Sequence, residues 1–242
     1  MAAKVNYVFE RTEKKYLIQQ AVLDQFLAAI EPHVKKDEYG EYTICNVYYD
    51  TDSDELIRRS LEKPVYKEKM RLRSYGTPKP DDKVFLEIKK KFKGVVYKRR
   101  ISLKYEEAMR YLEQGEKPEK DSQILREIDY FIHFYQPKPK LYLAYDRIAF
   151  SGIDKKDLRI TVDAKVRSRR DNVRLDAGDY GELLLSEQEY LVEIKTVDAF
   201  PLWLTEILAE LKIFPISFSK YGKIYYKNLE QDRRNSTCST VS

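Results

Sequence analysis

The chain has 242 residues, with 45 Lys and Arg against 40 Asp and Glu, a net charge of +5, and 43% apolar and 35% charged residues. That is too apolar for a disordered chain and too charged for a membrane protein, and the length suits one large domain or two small ones. Two cysteines and two histidines leave disulfide scaffolds, zinc sites and Ser-His-Asp or Cys-His catalysis poorly supplied, so a metal would be held by oxygen ligands.

Residues 6–18 read as a strand, and residues 19–30 space Val22, Leu23, Phe26, Leu27 and Ile30 as a helix that Pro32 ends. A β-branched and aromatic run at 43–51 predicts a second strand, followed by a short helix at 53–60. Three charge-bearing extended runs, 65–75, 83–92 and 95–103, are separated by Gly76, Pro78 and Pro80 and then by Gly94, the pattern of an antiparallel meander. Helices are expected at 105–114, with Gly115 placed to end it, and at 121–135, where Ile124, Leu125, Ile128, Phe131 and Ile132 form an apolar stripe. Strands resume at 140–151, 157–169, 182–186 and 190–196, Pro201 opens a helix to residue 211, and 223–228 is a short apolar-aromatic end. The expectation is one domain over 1–230 and a disordered polar tail at 231–242. No signal-like leader is present, and the stretch 199–218 is broken by Glu206, Glu210, Lys212 and two prolines, so a cytoplasmic protein is expected.

Residues two apart share a strand face, and the charges keep to one face in strand after strand. Arg11, Glu13 and Lys15 point one way; Lys67, Lys69, Arg71 and Arg73 share a face opposite Met70 and Leu72. Val84, Leu86 and Ile88 alternate with Glu87, Lys89 and Lys91, and Arg159, Thr161, Asp163, Lys165 and Arg167 make another row. Glu193 and Lys195 stand between Val192 and Ile194. Half-solvated surface strands would give the same pattern. The apolar helix stripes must also be covered, and helices packed outside a closed sheet would turn the charged faces inward. Such a lumen repels itself unless it holds a polyanion and a cation, a specification that triphosphate with a divalent metal meets.

Several short stretches carry a resemblance. Residues 11–16 (Arg-Thr-Glu-Lys-Lys-Tyr) resemble the opening strand of the triphosphate tunnel metalloenzymes, whose usual signature is Glu-x-Glu-x-Lys. Tyr48-Tyr49-Asp50-Thr51, Met70-Arg71-Leu72-Arg73-Ser74-Tyr75-Gly76, Phe85-Leu86-Glu87-Ile88-Lys89, Tyr145-Asp146-Arg147, Leu158-Arg159-Ile160-Thr161-Val162-Asp163, Leu191-Val192-Glu193-Ile194-Lys195-Thr196 and Phe218-Ser219-Lys220-Tyr221 follow in family order across residues 7–226. Together they resemble the catalytic domain of the vacuolar transporter chaperone (VTC) group, the polyphosphate polymerases of that superfamily. The resemblance implies an α+β fold, an antiparallel β-barrel tunnel with helices packed outside, that binds nucleoside triphosphate with Mn²⁺ or Mg²⁺. It implies phosphate ligands at Lys15, Arg71, Arg73, Lys89, Lys98, Arg147, Arg159 and Lys220, positions near the phosphates at Tyr145 and Ser219, and a metal ligand at Glu193. Arg11 replaces the first glutamate of the wider signature, and Ser217 stands where some family members carry a lysine.

Phosphoryl transfer requires mainly charge neutralisation and alignment, which suits a chain rich in Arg and Lys and poor in His and Cys. The γ-phosphate is expected among Arg71, Arg73, Lys89, Arg147 and Arg159, with the end of a polyphosphate chain as acceptor. A triphosphatase using water would need the same cage, and a polyphosphate- or RNA-binding module remains open because 20 tyrosines accompany the basic strands. The partners expected are ATP and inorganic polyphosphate and not DNA, with any coupling to transport requiring a separate membrane protein. His33, His133 and Trp203 read as structural or solvated, Lys90 as an outer charge, and Cys45 as a small buried hydrophobe.

Overall fold

Alternating runs form strands and helically spaced runs form helices in the computed structural model, which describes residues 11–93, 95–119 and 121–238. In chain order the elements are β1 (Arg11–Gln19), α1 (Gln20–Ile30), β2 (Val34–Asp50), α2 (Glu55–Leu61), β3 (Tyr66–Tyr75), β4 (Lys83–Phe92), β5 (Val95–Lys104), α3 (Tyr105–Gln114) and α4 (Gln123–Tyr135). There follow β6 (Lys138–Gly152), β7 (Arg159–Arg169), β8 (Glu182–Leu183), β9 (Glu189–Val197), α5 (Leu202–Glu210) and α6 (Lys220–Cys238). Residues 6–10 of the first predicted strand and 239–242 of the tail lie outside the described residues.

Hydrogen bonding orders the strands β1-β9-β7-β6-β2-β3-β4-β5, with β8 beside β7. The fold is therefore mixed α+β around one large antiparallel sheet. The closed barrel expected from sequence is corrected here: among the described residues the order ends at β1 and β5, and the ladder does not close. Each end strand carries several Lys and Arg, which disfavour the addition of a further strand at that edge.

Backbone packing groups the chain into two compact units. The first comprises Met1–Tyr42, Asp146–Lys165 and Leu185–Ser217, the second Thr43–Tyr145, Val166–Leu184 and Phe218–Ser242. In the first, Tyr16 and Ile18 of β1, Ile160 and Val162 of β7, and Val192 and Ile194 of β9 turn one face into a core with Leu23, Phe26 and Ile30 of α1 and Leu204 and Leu208 of α5. In the second, Met70 and Leu72 of β3 and Val84, Leu86 and Ile88 of β4 pack with Ala108 and Tyr111 of α3 and Leu125, Ile128 and Phe131 of α4. The Ser122 hydroxyl caps α4 by accepting the Leu125 amide at 3.1 Å. Period-2 alternation leaves the opposite strand face of each unit to charged groups.

Two elements differ from expectation. β2 begins at Val34 rather than at 43, because residues 35–42 are polar on both faces and show no alternation. The tail expected to be disordered from 231 is helical as far as Cys238 within α6. Ion pairs accompany its polar turns, Lys227 with Glu182 at 2.6 Å and Arg170 with Asp232 at 3.0 Å. No helix among the described residues is long and apolar enough to cross a membrane.

Candidate functional site

The second unit gathers cations around a single carboxylate. Arg71 on β3 stands opposite Glu87 on β4, and Glu87 stands opposite Arg100 on β5. Pairing of adjacent strands thus places three charged side chains in one row on the face away from the helices. Arg71 Nε donates to Glu87 Oε2 at 2.7 Å, Lys98 Nζ lies 3.0 Å from Oε1, and Arg100 donates to the same oxygen. Glu87 is only 2% exposed. Burial alone would raise its pKa, but Arg71, Arg73, Lys98 and Arg100 outweigh that and hold the carboxyl well below the usual range.

Arg73, two residues on from Arg71, is buried and has neutral partners. Its Nε donates to Asn46 Oδ1 at 2.9 Å and its Nη2 to the Tyr145 hydroxyl at 3.5 Å. Asn46 is held in turn by its own amide, which donates to the Leu143 carbonyl at 3.0 Å. Burial first, then Arg71, lowers the Arg73 pKa. Arg71 Nη1 donates to the Tyr48 hydroxyl at 3.1 Å. Burial resists ionisation of Tyr48, yet Arg71, Arg73 and Lys69 bring its pKa down to about 8. Lys98 is brought down to about 8 by burial, with Glu87 opposing and Arg100 and Arg71 assisting. Three cations thus share one carboxylate with Arg73 nearby on neutral partners, an arrangement that favours an added anion.

The late Ser-Lys pair reaches the same unit through α6. Ser219 accepts the Gly222 amide at 3.2 Å as the helix opens, and Lys220 Nζ lies 4.4 Å from the Tyr145 ring centroid. The buried Asp50 carboxylate anchors this end: it accepts the amides of Thr51, Leu56 and Ile57 at 2.8–2.9 Å and the Tyr221 hydroxyl at 3.2 Å. Lys89 is the cross-strand neighbour of Lys69 and Lys98. Of the residues named from sequence, Arg71, Arg73, Lys89, Lys98, Tyr145, Ser219 and Lys220 belong to this unit.

Lys15, Arg147, Arg159 and Glu193 belong to the first unit. Lys15 on β1 stands opposite Glu193 on β9, and Glu193 stands opposite Thr161 on β7. Lys15 Nζ lies 3.6 Å from Glu193 and 3.5 Å from Glu13, and Lys195 contacts the same two carboxylates. Arg147 grips the fully buried Asp163 through two bonds, at 2.6 and 2.8 Å, and Arg159 pairs with Asp37 at 2.8 Å.

A hard divalent cation fits the Glu193 row in its donor chemistry. The oxygens of Glu193 and Glu13 share two lysines, and the buried Thr161 hydroxyl beside Glu193 in the register has no hydrogen-bond partner among the described residues. No group of three or more His, Cys, Asp or Glu suited to a metal occurs among the described residues. The row therefore suits an ion that takes one or two carboxylates and completes its shell with water and phosphate, as Mg²⁺ and Mn²⁺ do, rather than one caged by protein.

Sequence reading passed over Asn46 and Arg100, and gave no site role to Tyr48 or Glu87, which it named only within matching stretches and, for Glu87, within a charged row. Asn46 and Tyr48 share strand parity with each other, a signal that was available, but their pairing with Arg73 and Arg71 depends on the β2–β3 register.

A family model for the VTC domain matches residues 10–227. The chain belongs to the VTC domain family. A Trypanosoma brucei brucei relative, vacuolar transporter chaperone complex subunit 4, is 30% identical over 206 residues, which cover 66% of this VTC chain and 26% of that protein. The VTC chain thus spans about a quarter of its relative's length. Among solved structures, a candidate adenylate cyclase from Bacillus halodurans aligns over 86% of this chain and 92% of its own with a TM-score of 0.53 at 16% identity. A Hippeastrum candidate adenylyl cyclase, described as having a dominant triphosphatase activity, aligns over 88% and 93% with a TM-score of 0.52 at 17% identity. These likenesses concern the fold, which is similar to the triphosphate tunnel folds.

Proposed function

We propose that this VTC domain transfers the γ-phosphate of ATP to the end of a growing inorganic polyphosphate chain. The observation that carries the reading is the row of Arg71, Arg73, Lys98 and Arg100 around the single carboxylate Glu87 in a chain of this family. Arg71 and Arg73 bind the reacting phosphate, Lys98 and Lys89 neutralise neighbouring phosphates, and Lys220 with Ser219 orients the chain beside Tyr145. Within the first unit, Lys15, Arg147 and Arg159 are the candidate phosphate ligands. Glu193, assisted by Glu13, would hold Mn²⁺ or Mg²⁺, whose role is to neutralise phosphate oxygens.

Charge spread over the transferring group's oxygens is matched by donors already fixed in place. Asn46 and Tyr145 hold Arg73, and Glu87 and Tyr48 hold Arg71, so little reorganisation is needed as charge moves. The same cage serves water as acceptor, and the triphosphatase activity described for the Hippeastrum relative favours hydrolysis as the second reading. Incubation of the purified chain with ATP and Mn²⁺, with polymer separated from free phosphate, tests the choice. Polymer supports the transferase, orthophosphate alone the hydrolase, and no turnover with any divalent metal the binding module.

A further inference from the structure

The apolar face of the second unit runs past its helical cover. On β4 the series Val84, Leu86 and Ile88 is fully buried, but two steps beyond Lys90 the same face ends in Phe92, which is 45% exposed. Phe92 stands opposite Tyr66 on β3 and Val95 on β5, and Lys90 stands opposite Tyr97. Tyr66, Phe92, Val95, Val96 and Tyr97 are each 38–48% exposed, and the rings of Tyr66 and Phe92 meet edge to face at 6.4 Å. One end of the β4–β5 hairpin is therefore an apolar and aromatic tip, which a soluble surface ordinarily avoids.

Within the hairpin the charge is of one sign, with Glu68 and Glu127 of neighbouring elements pairing, among the described residues, only with Lys90 and Arg99 on its helix-covered side. Between Glu87 and Glu106 there is no Asp or Glu, while residues 89–100 hold seven Lys and Arg. Lys91 stands opposite Val96, and Lys93 Nζ lies 5.5 Å from the Phe92 ring centroid. A second copy of the hairpin would bring like charge against like. A nucleic acid would satisfy the lysines but gives no role to Val95 and Val96. Apolar side chains ringed by lysines match a surface with anionic heads over a hydrocarbon layer, where the two weak attractions add.

We infer that the β4–β5 hairpin tip is a docking surface for an anionic phospholipid bilayer, with Phe92, Val95, Val96 and Tyr97 entering the interface and Lys91 and Lys93 contacting the headgroups. This surface is separate from the residues assigned to phosphate transfer, and it stands whether the acceptor there is polyphosphate or water.

Sedimentation with vesicles tests it. The intact chain should pellet with phosphatidylcholine vesicles containing phosphatidylserine and not with phosphatidylcholine alone, less so as salt rises. Phe92→Ser/Val96→Ser should weaken binding at least about tenfold, and so should Lys91→Glu/Lys93→Glu, while ATP affinity and melting temperature stay as in the parent. A Tyr97→Trp reporter should shift its emission to the blue on anionic vesicles and be quenched by brominated acyl chains. Absence of binding to either vesicle would overturn the inference. So would binding that the Phe92 and Val96 changes leave intact, with no acyl-chain quenching and with competition by polyuridylate, which would make the hairpin a polyanion site. Self-association abolished by the same changes, without vesicle binding, would overturn it in favour of a contact between copies.

Discussion

Two charge clusters, one in each unit, are built in opposite ways. In the first, acids and bases balance: Glu13 and Glu193 share Lys15 and Lys195, Asp163 holds Arg147, and Asp37 holds Arg159. In the second, Glu87 alone faces Arg71, Lys98 and Arg100, and Arg73 rests on the neutral oxygens of Asn46 and Tyr145. An excess of fixed positive charge calls for an anion, whereas a carboxylate pair bridged by ammonium groups can exchange them for a metal. We therefore read the Glu87 cluster as the main phosphate site and the Glu13–Glu193 pair as a cation site, with Lys15, Arg147 and Arg159 proposed as further phosphate ligands.

The sharpest way to break that contrast is Glu87→Gln. Removing the acid that Arg71, Lys98 and Arg100 share leaves these cations facing one another, and we expect a stability loss of about 3 kcal/mol, read by denaturant unfolding, that added triphosphate largely restores. If triphosphate does not restore it, Glu87 is an ordinary structural ion-pair partner. Next in size is Arg71→Ala, which should lower turnover by about 10²–10³-fold while Lys98 and Arg100 still satisfy Glu87, so that the melting temperature moves little. A large fall in melting temperature would make Arg71 structural.

On the first unit, Glu193→Gln should cut metal-dependent turnover by about 10²-fold, with metal-free triphosphate affinity unchanged or higher. Unchanged turnover across a Mn²⁺ titration would remove Glu193 from the site.

The smallest effect concerns pH. Tyr48 and Lys98 both titrate near about 8 in the folded chain, against 10.0 and 10.5 for the free groups. As pH rises through 8, Lys98 loses its charge and Tyr48 gains a negative one, so triphosphate affinity should fall several-fold between pH 7 and 9. Both groups bind protons more weakly in the folded state, so the ligand-free protein should instead gain stability from pH 8 to 10. Calorimetry and thermal melts read the two opposed trends, and Tyr48→Phe should flatten both. A profile identical in Tyr48→Phe would exclude the phenol from the cluster.

Much of this was legible because strand alternation is a local property. That Met70 and Leu72 take one face and Arg71 and Arg73 the other follows from spacing alone, as do the stripes of α1 and α4. Cross-strand register is not local. That Glu87 serves three cations depends on β3, β4 and β5 aligning residues 71, 87 and 100, and nothing within any one run encodes it. Residues 35–42 hid half of β2 because both faces are polar. The helix over 231–238 lay hidden for the converse reason, a polar segment without an apolar stripe.

The interleaving of the two units has a consequence for the order in which the protein is made. β1 pairs with β9, joining Gln19 to Glu189 and Arg11 to Val197, so the first described strand leaves the ribosome long before its partner exists. The first unit is incomplete until Ser217 has been added, and the second also draws on residues beyond Phe218. The first unit cannot mature until most of the second has been translated, and the second cannot mature until all of the first has, unlike consecutive domains that fold one after the other. Nascent β1 must wait with an unpaired edge, and a ribosome stalled before residue 189 would present a chain in which both units are unfinished.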